Sequence, residues 1–498
     1  MNRRDFMKTL SIGAGATVVG AEFANQTIAA LAAPQAALDA QADPIHRALN
    51  RLSFGPRPGQ VEAVRKQGLE NWIAAQLDYE KIDNSASEAR LGNYPTLDMT
   101  PAELVALVGK QEGDVVRELD SATVLRAIYN PRDLFEVVTL FWSEHFSIWH
   151  QKESDRLLKT LDDRDVIRAN AFTNYRQLLG ASAKSPAMLV YLDNAKSDLK
   201  HPNENYAREV MELHTITIGK YTETDVKEVA RCFTGWTLYG RAGKQPGEFY
   251  FNPKMHDNAA KTVLGKVIPA GGGQQDGETV LDMLALHPGT AELIAYKLAM
   301  RFVTDTPPDS IVQAAKDAFL KSGGSHKTVL KTIFASPEFA NAGPKYKRPY
   351  EFLISLFRSL DVQIDTFNLA LLVLLRNMGH LPFDWITPDG YSDYAANWEA
   401  NMLTRWNTAI NALGNKLPGV KVDLNKIAQS QGVTIAPEPV INFFAQHIFG
   451  RPMTQDESDA IFGYLNKNGK VDLTTDAGRR RINEAIALMY ASPAFMYR

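Results

Sequence analysis

Apolar residues recur three and four positions apart through most of this 498-residue chain, as at Ile45, Leu49 and Leu52, at Leu104, Leu107 and Val108, and at Leu134, Val137, Val138 and Phe141. That period gathers apolar side chains on one helix face, so it predicts helices packed by their stripes rather than sheets. Gly55-Pro56-Arg57-Pro58 stops the first of these helices, and Gly68 breaks the run over 61–77 into two. Residues 248–266 carry the only convincing β signal: EFYF and TVLGK read as two short strands of one hairpin, with His256-Asp257 in the connection. The expectation is a mostly α, multi-helical globular body with a small β-hairpin insertion. A helical region over 37–270, holding the central polar motif and the hairpin, is expected to pack into the same body as a second one over 271–498.

The chain begins NRRDFMKTL after its first methionine, and adjacent Arg3 and Arg4 followed by Phe6 and Lys8 match the twin-arginine export pattern. An uncharged run rich in Gly and Ala over 10–21 and small residues over 29–36 suited to A-x-A cleavage complete the three regions of a signal peptide, expected over 1–36. The run is too short and too weakly hydrophobic for a stable membrane span. The twin-arginine translocase is then a partner during export, and the periplasm or another extracytoplasmic compartment is the destination. Cys232 is the single cysteine, so no intramolecular disulfide is available and the core alone must hold the exported chain together. Its place between Val229 and Phe233 reads as a small buried hydrophobe rather than a nucleophile. The formal net charge is −3, and the leader's three basic and two acidic residues leave −4 once removed. That balance argues against nucleic acid or an anionic membrane as the main partner.

Residues 203–236, NENYAREVMELHTITIGKYTETDVKEVARCFTGW, hold the densest set of charged side chains at helical spacing. On a helix Asn205, Arg208, Glu209 and Glu212 fall at i, i+3, i+4 and i+7, one stripe beside an apolar one that includes Tyr206 and Val210. A second helix is expected from Thr222, with Asp225 as its capping-box partner and Glu228 and Arg231 on its length. Glu209, Glu212, His145 and His214 are the candidate catalytic residues. Carboxylates in unlike environments can divide acid and base work, and histidine titrates near neutral pH. His145 stands in the aromatic run LFWSEHFSIWH over 140–150. Arg208, Arg231, Trp236 and Trp398 are candidate substrate contacts, and Trp385, Tyr391, Tyr394 and Trp398 lie close enough in sequence to wall a ligand site. Glu212 and His214 sit about 200° apart around a helix and cannot grip one ion from the same unbroken helix. A divalent-metal centre would have to draw on several segments, His145 and Glu212 with His256 and Asp257, an N/O set that suits zinc, manganese, iron or calcium. The stripe also reads as a purely structural network linking Arg208, Arg231, Glu209, Glu212 and Glu228. The chain carries no H-E-x-x-H, G-x-S-x-G, P-loop or G-x-G-x-x-G, which removes the usual signatures of zinc proteases, serine esterases, nucleotide hydrolases and Rossmann oxidoreductases.

RLSFGP at Arg51, FWSEHFS at Phe141, PAMLVYLD at Pro186, NENYAREVMELHT at Asn203, YTETDVKEVARCFTGW at Tyr221, HPGTAELIAYKL at His287 and SPEF at Ser336 occur in this order. With these pieces the chain resembles a bacterial family catalogued as domain of unknown function 1800, over nearly all of its length after the leader. Two places depart from the pattern: Ser185 precedes Pro186 where histidine is expected, and Gly379-His380 stands for the usual glycine-glutamine. The resemblance implies export, a helical fold and frequent company of a second exported protein encoded nearby. It implies no reaction and no catalytic residues. Two functions follow as expectations: a carboxylate- and histidine-dependent hydrolase acting on an extracytoplasmic substrate, or a non-catalytic exported scaffold that binds a co-exported partner or a cell-surface polysaccharide.

Overall fold

The computed structural model describes residues 42–498 apart from 365, 401 and 468, so the expected leader and its cleavage site lie outside the described residues. Among the described residues there are 25 α-helices and four strands of three residues each, the mostly α body that the apolar period predicts. No helix among them is long and apolar enough to cross a membrane.

Helix α1 (Pro44–Leu52) starts on Asp43, whose carboxylate accepts the amide of Ile45 at 2.8 Å, and Pro44 fills the first turn where no amide donor is needed. It buries Ala48, Leu49 and Leu52. Helices α2 (Glu112–Tyr129) and α3 (Asp133–His145) follow, and α3 is enclosed along almost its whole length. Next come α4 (Tyr175–Lys184), α5 (Glu204–Glu212) and α6 (Glu223–Cys232). Thr222 and Asp225 form the expected capping box at the start of α6. After the small β elements, α7 (Pro288–Phe302) packs on α8 (Asp309–Lys321), and α8 on α9 (His326–Phe334). Helix α10 (Pro349–Ser359) is buried at every position. One continuous apolar core runs from Leu49 to Met496 and takes side chains from both halves of the chain.

The β pairing differs from the expected single hairpin. Strand β1 (Trp236–Leu238) pairs antiparallel with β2 (Phe249–Phe251), Trp236 opposite Phe251, while β3 (Lys261–Val263) pairs with β4 (Lys266–Ile268), Val263 opposite Lys266. Thus EFYF and TVLGK do not meet. Leu264 and Gly265 both take positive φ, 48° and 77°, as a two-residue type I′ turn requires, so TVLGK folds back on itself. His256 and Asp257 connect the two ribbons.

Candidate functional site

Three elements converge on a cavity of about 540 Å³. The last turn of α3 brings Phe141, Glu144 and His145, spaced so that i, i+3 and i+4 share one face. Helix α7 brings Lys297 and Met300, again three apart. The loop between Gly379 and Trp398 closes the other side with Trp385, Tyr391, Tyr394 and Trp398, the aromatic wall expected from their closeness in sequence. A larger hollow of about 810 Å³ lies where α1 meets α9, lined by Ala48, Ile73 and Phe334 together with Arg51, Asp78 and Lys327. Its lining holds neither histidine nor tyrosine, and Lys327 lies 3.8 Å from Asp78 as an ion pair.

His145 is held at both ring nitrogens. The Tyr175 hydroxyl donates to the backbone carbonyl of His214, so its oxygen is free to accept from Nε2 of His145, 2.9 Å away; the same carbonyl lies 3.2 Å from Nε2. Nε2 therefore carries the ring proton, and Nδ1 is an acceptor. Nζ of Lys297 occupies that acceptor at 3.0 Å. Burial, with the charge of Lys297 beside it, holds the imidazole well below its ordinary titration range, so the ring stays neutral. Burial also pushes the Lys297 amine down to about 8, against the opposing pull of Asp393, Asp389 and Glu144.

The carboxylates around the cavity all have partners in the protein. Glu144 accepts from Arg348 at 2.7 Å and from His380 at 3.3 Å. Burial raises Asp393, but Arg348, Arg301 and Lys345 outweigh it and leave its carboxyl below the usual range. Asp389 accepts the indole N–H of Trp385 at 2.9 Å and the hydroxyl of Thr387 at 2.5 Å. His380, one of the two departures from the family pattern, stacks on Trp398 with ring centroids 5.1 Å apart, and burial lowers it to about 4 against its hydrogen bond to Glu144. It braces the wall and the acid at once.

A family model described as "Protein of unknown function (DUF1800)" matches residues 47–497. The chain belongs to this family. Neither the curated proteins nor the solved structures contain a match to it.

In this DUF1800 protein His145 and the four aromatics expected from sequence, Trp385, Tyr391, Tyr394 and Trp398, line the cavity. His214 lies behind His145, ring centroids 5.9 Å apart, and contributes its carbonyl; burial holds its ring down to about 3. The polar stripe of α5 lies on its half-exposed side, because the buried side of that helix is Tyr206, Ala207, Val210 and Met211. Arg208 forms a bidentate pair with Glu223 at 2.7 Å, and Glu212 accepts the Tyr221 hydroxyl at 2.7 Å. Glu209 is partly buried, and burial, then the charge of Glu212, raises its carboxyl, with Asp389 adding to the effect. Arg231 pairs with Glu228 at 2.8 Å and Asp257 at 2.7 Å, so the single network expected to tie Arg208 to Arg231 is two separate ones.

Two expectations are corrected. Trp236 is no substrate contact: it is 0% exposed, packed between Phe233 and Phe249 and against Gly277. His145, Glu212, His256 and Asp257 do not assemble, since no group of three His, Cys, Asp or Glu side chains among the described residues is placed to hold a metal ion. His256 instead bonds the carbonyl of Thr234 at 2.8 Å and lies 3.1 Å from Asp276, and Asp257 is taken by Arg231. The residue that sequence reasoning missed is Lys297. Its signal was one lysine four positions before Arg301 in the apolar run AELIAYKLAMRF.

Proposed function

We propose that this protein is an exported hydrolase that works by proton transfer in the cavity between α3, α7 and the aromatic loop, with a saccharide as its substrate class. The observation that carries this reading is the 3.0 Å contact between Lys297 Nζ and His145 Nδ1 at the cavity wall. An amine that titrates at about 8 can take a proton from water when neutral and return one to a leaving group when charged. Trp385, Tyr391 and Trp398 offer flat apolar faces for a sugar ring, while Asp389 and Tyr394 offer polar contacts for its hydroxyls. Export rests on the twin-arginine pattern at Arg3 and Arg4, and replacing both with Lys should leave the precursor in the cytoplasm.

The test is turnover of a panel of aryl glycosides and cell-surface polysaccharides by the purified chain between pH 6 and 10, beside Lys297→Met and His145→Gln. Hydrolysis with a basic limb near pH 8, falling roughly 10²-fold or more in the lysine variant at unchanged folding, supports the reading. A second reading, a non-catalytic scaffold for a polysaccharide or co-exported partner, is favoured by Ile386, which is 66% exposed on the same loop as the aromatic wall. Saturable polysaccharide binding without turnover would select it.

A further inference from the structure

We infer that Lys297 captures carbonyl compounds: an aldehyde or ketone entering the cavity condenses with Nζ to form an imine. The inference rests on the reading that this cavity is the reactive site, and it adds the group that a substrate would carry.

The first support is the direction of one hydrogen bond. Nδ1 of His145 accepts, so it engages an N–H of Lys297 and leaves the nitrogen lone pair unshared when the amine is neutral. The second is the absence of a counter-ion in contact: among the described residues Lys297 makes no ion pair, because Glu144 is held by Arg348 and Asp393 by Arg301 and Arg348. A lysine clasped by a carboxylate would stay an ammonium and could not attack. The third is the setting, since Trp385 and Trp398 wall the cavity and suit the apolar body of a carbonyl compound. Burial adds to these by lowering the amine to about 8, which leaves roughly a tenth of it neutral at pH 7.

The steps balance without an oxidant or reductant. The Nζ lone pair forms a bond to the carbonyl carbon as the C=O π pair moves onto oxygen, and the proton shed by nitrogen goes to that oxygen to give a carbinolamine. The hydroxyl then leaves with the second nitrogen proton as water, and the C=N bond remains. If the imine is protonated, Asp389, Asp393 and Glu144 supply negative charge at longer range, as they do for the ammonium.

The experiment incubates the full exported chain with 4-hydroxybenzaldehyde and sodium cyanoborohydride at pH 7.5, so that hydride reduces any imine to a stable secondary amine, and maps the label by peptide mass spectrometry. The expected result is labelling of Lys297 at least tenfold above exposed lysines such as Lys200 and Lys254, and loss of that fast label in Lys297→Arg. Labelling of Lys297 no faster than those surface lysines overturns the inference, and this comparison is made within the native chain, whether or not the variant folds. Glycoside turnover is measured on the same preparations. Loss of turnover in Lys297→Arg with no preferential label on native Lys297 overturns carbonyl capture and leaves the proton-transfer reading. Preferential label on Lys297 with full turnover in Lys297→Arg does the reverse.

Discussion

Gly390 lies over the backbone carbonyl of Glu144 with a φ of +74°, so close that a Cβ at this position would run into that oxygen and its carbon. The aromatic loop is thereby seated directly on the end of α3, which places Trp385 and Tyr391 in the lining of the same cavity as His145. Glycine is needed on two counts, the left-handed backbone and the clearance. Gly390→Ala is expected to cost roughly 1–3 kcal/mol from the backbone alone, and more where the loop must lift. Urea unfolding checks the cost and tryptophan fluorescence checks the lift; a loss under about 0.5 kcal/mol would mean that the loop is not anchored here.

The Lys297 amine titrates at about 8 in the folded chain against 10.5 for an unperturbed lysine. Between those values the unfolded chain binds more protons, so stability contributed at this position rises with pH. The difference in unfolding free energy between the native chain and Lys297→Met should be flat below pH 8 and should then shift toward the native chain up to about pH 10. With partial solvation of the amine the shift is on the order of 1–2 kcal/mol. A difference that stays constant from pH 7 to 10 would show an amine solvated like any surface lysine.

The helical body was readable because a period of three and four states which residues share a face, and Leu134, Val137, Val138 and Phe141 indeed enter the core together. The aromatic wall was readable because its four members lie within one loop. What the period does not state is which face points inward, and the stripe of Asn205, Arg208, Glu209 and Glu212 is the half-exposed side of α5. Lys297 was hidden for a different reason. It lies 152 residues from His145, and a lone lysine in an apolar helix reads as a side chain that runs its stem along the surface and keeps its charge in water. Trp236 was misread because an aromatic after Thr234-Gly235 looks the same in sequence whether it walls a pocket or fills the core.

Trp236 and Arg208 give a direct contrast. Trp236→Ala removes a fully buried indole and should cost roughly 3–5 kcal/mol. Arg208→Ala breaks half-exposed pairs with Glu223 and Glu204 and should cost about 0.2–1 kcal/mol, with turnover or ligand binding unchanged. Denaturant melts of the two variants, read beside a binding assay, check both. A large functional loss in a well-folded Arg208→Ala would return the polar stripe to the site.

Arg348 joins the buried charges of the core to the cavity. It lies 3.4 Å from Glu351, which Arg301 and Arg498 also surround, and 2.7 Å from Glu144 at the cavity edge. Burial raises Glu351, but the three arginines outweigh it and hold its carboxyl well below the usual range. Its stabilising contribution is therefore present above about pH 4.5 and is lost as the pH falls through the lower folded value. Arg348→Met takes a nearly fully buried cation from this set and leaves Glu144 without its guanidinium, a change expected to cost roughly 3–5 kcal/mol. The site should respond in a way that simple destabilisation would not produce. With Glu144 no longer neutralised, its charge favours the Lys297 ammonium, so the lysine should titrate above its native value of about 8. Adding Glu144→Gln to Arg348→Met should bring that titration back down, as measured by the pH dependence of Lys297 labelling in the two folded variants. An unshifted titration in Arg348→Met would place the charges of the core and the chemistry of the cavity in separate accounts.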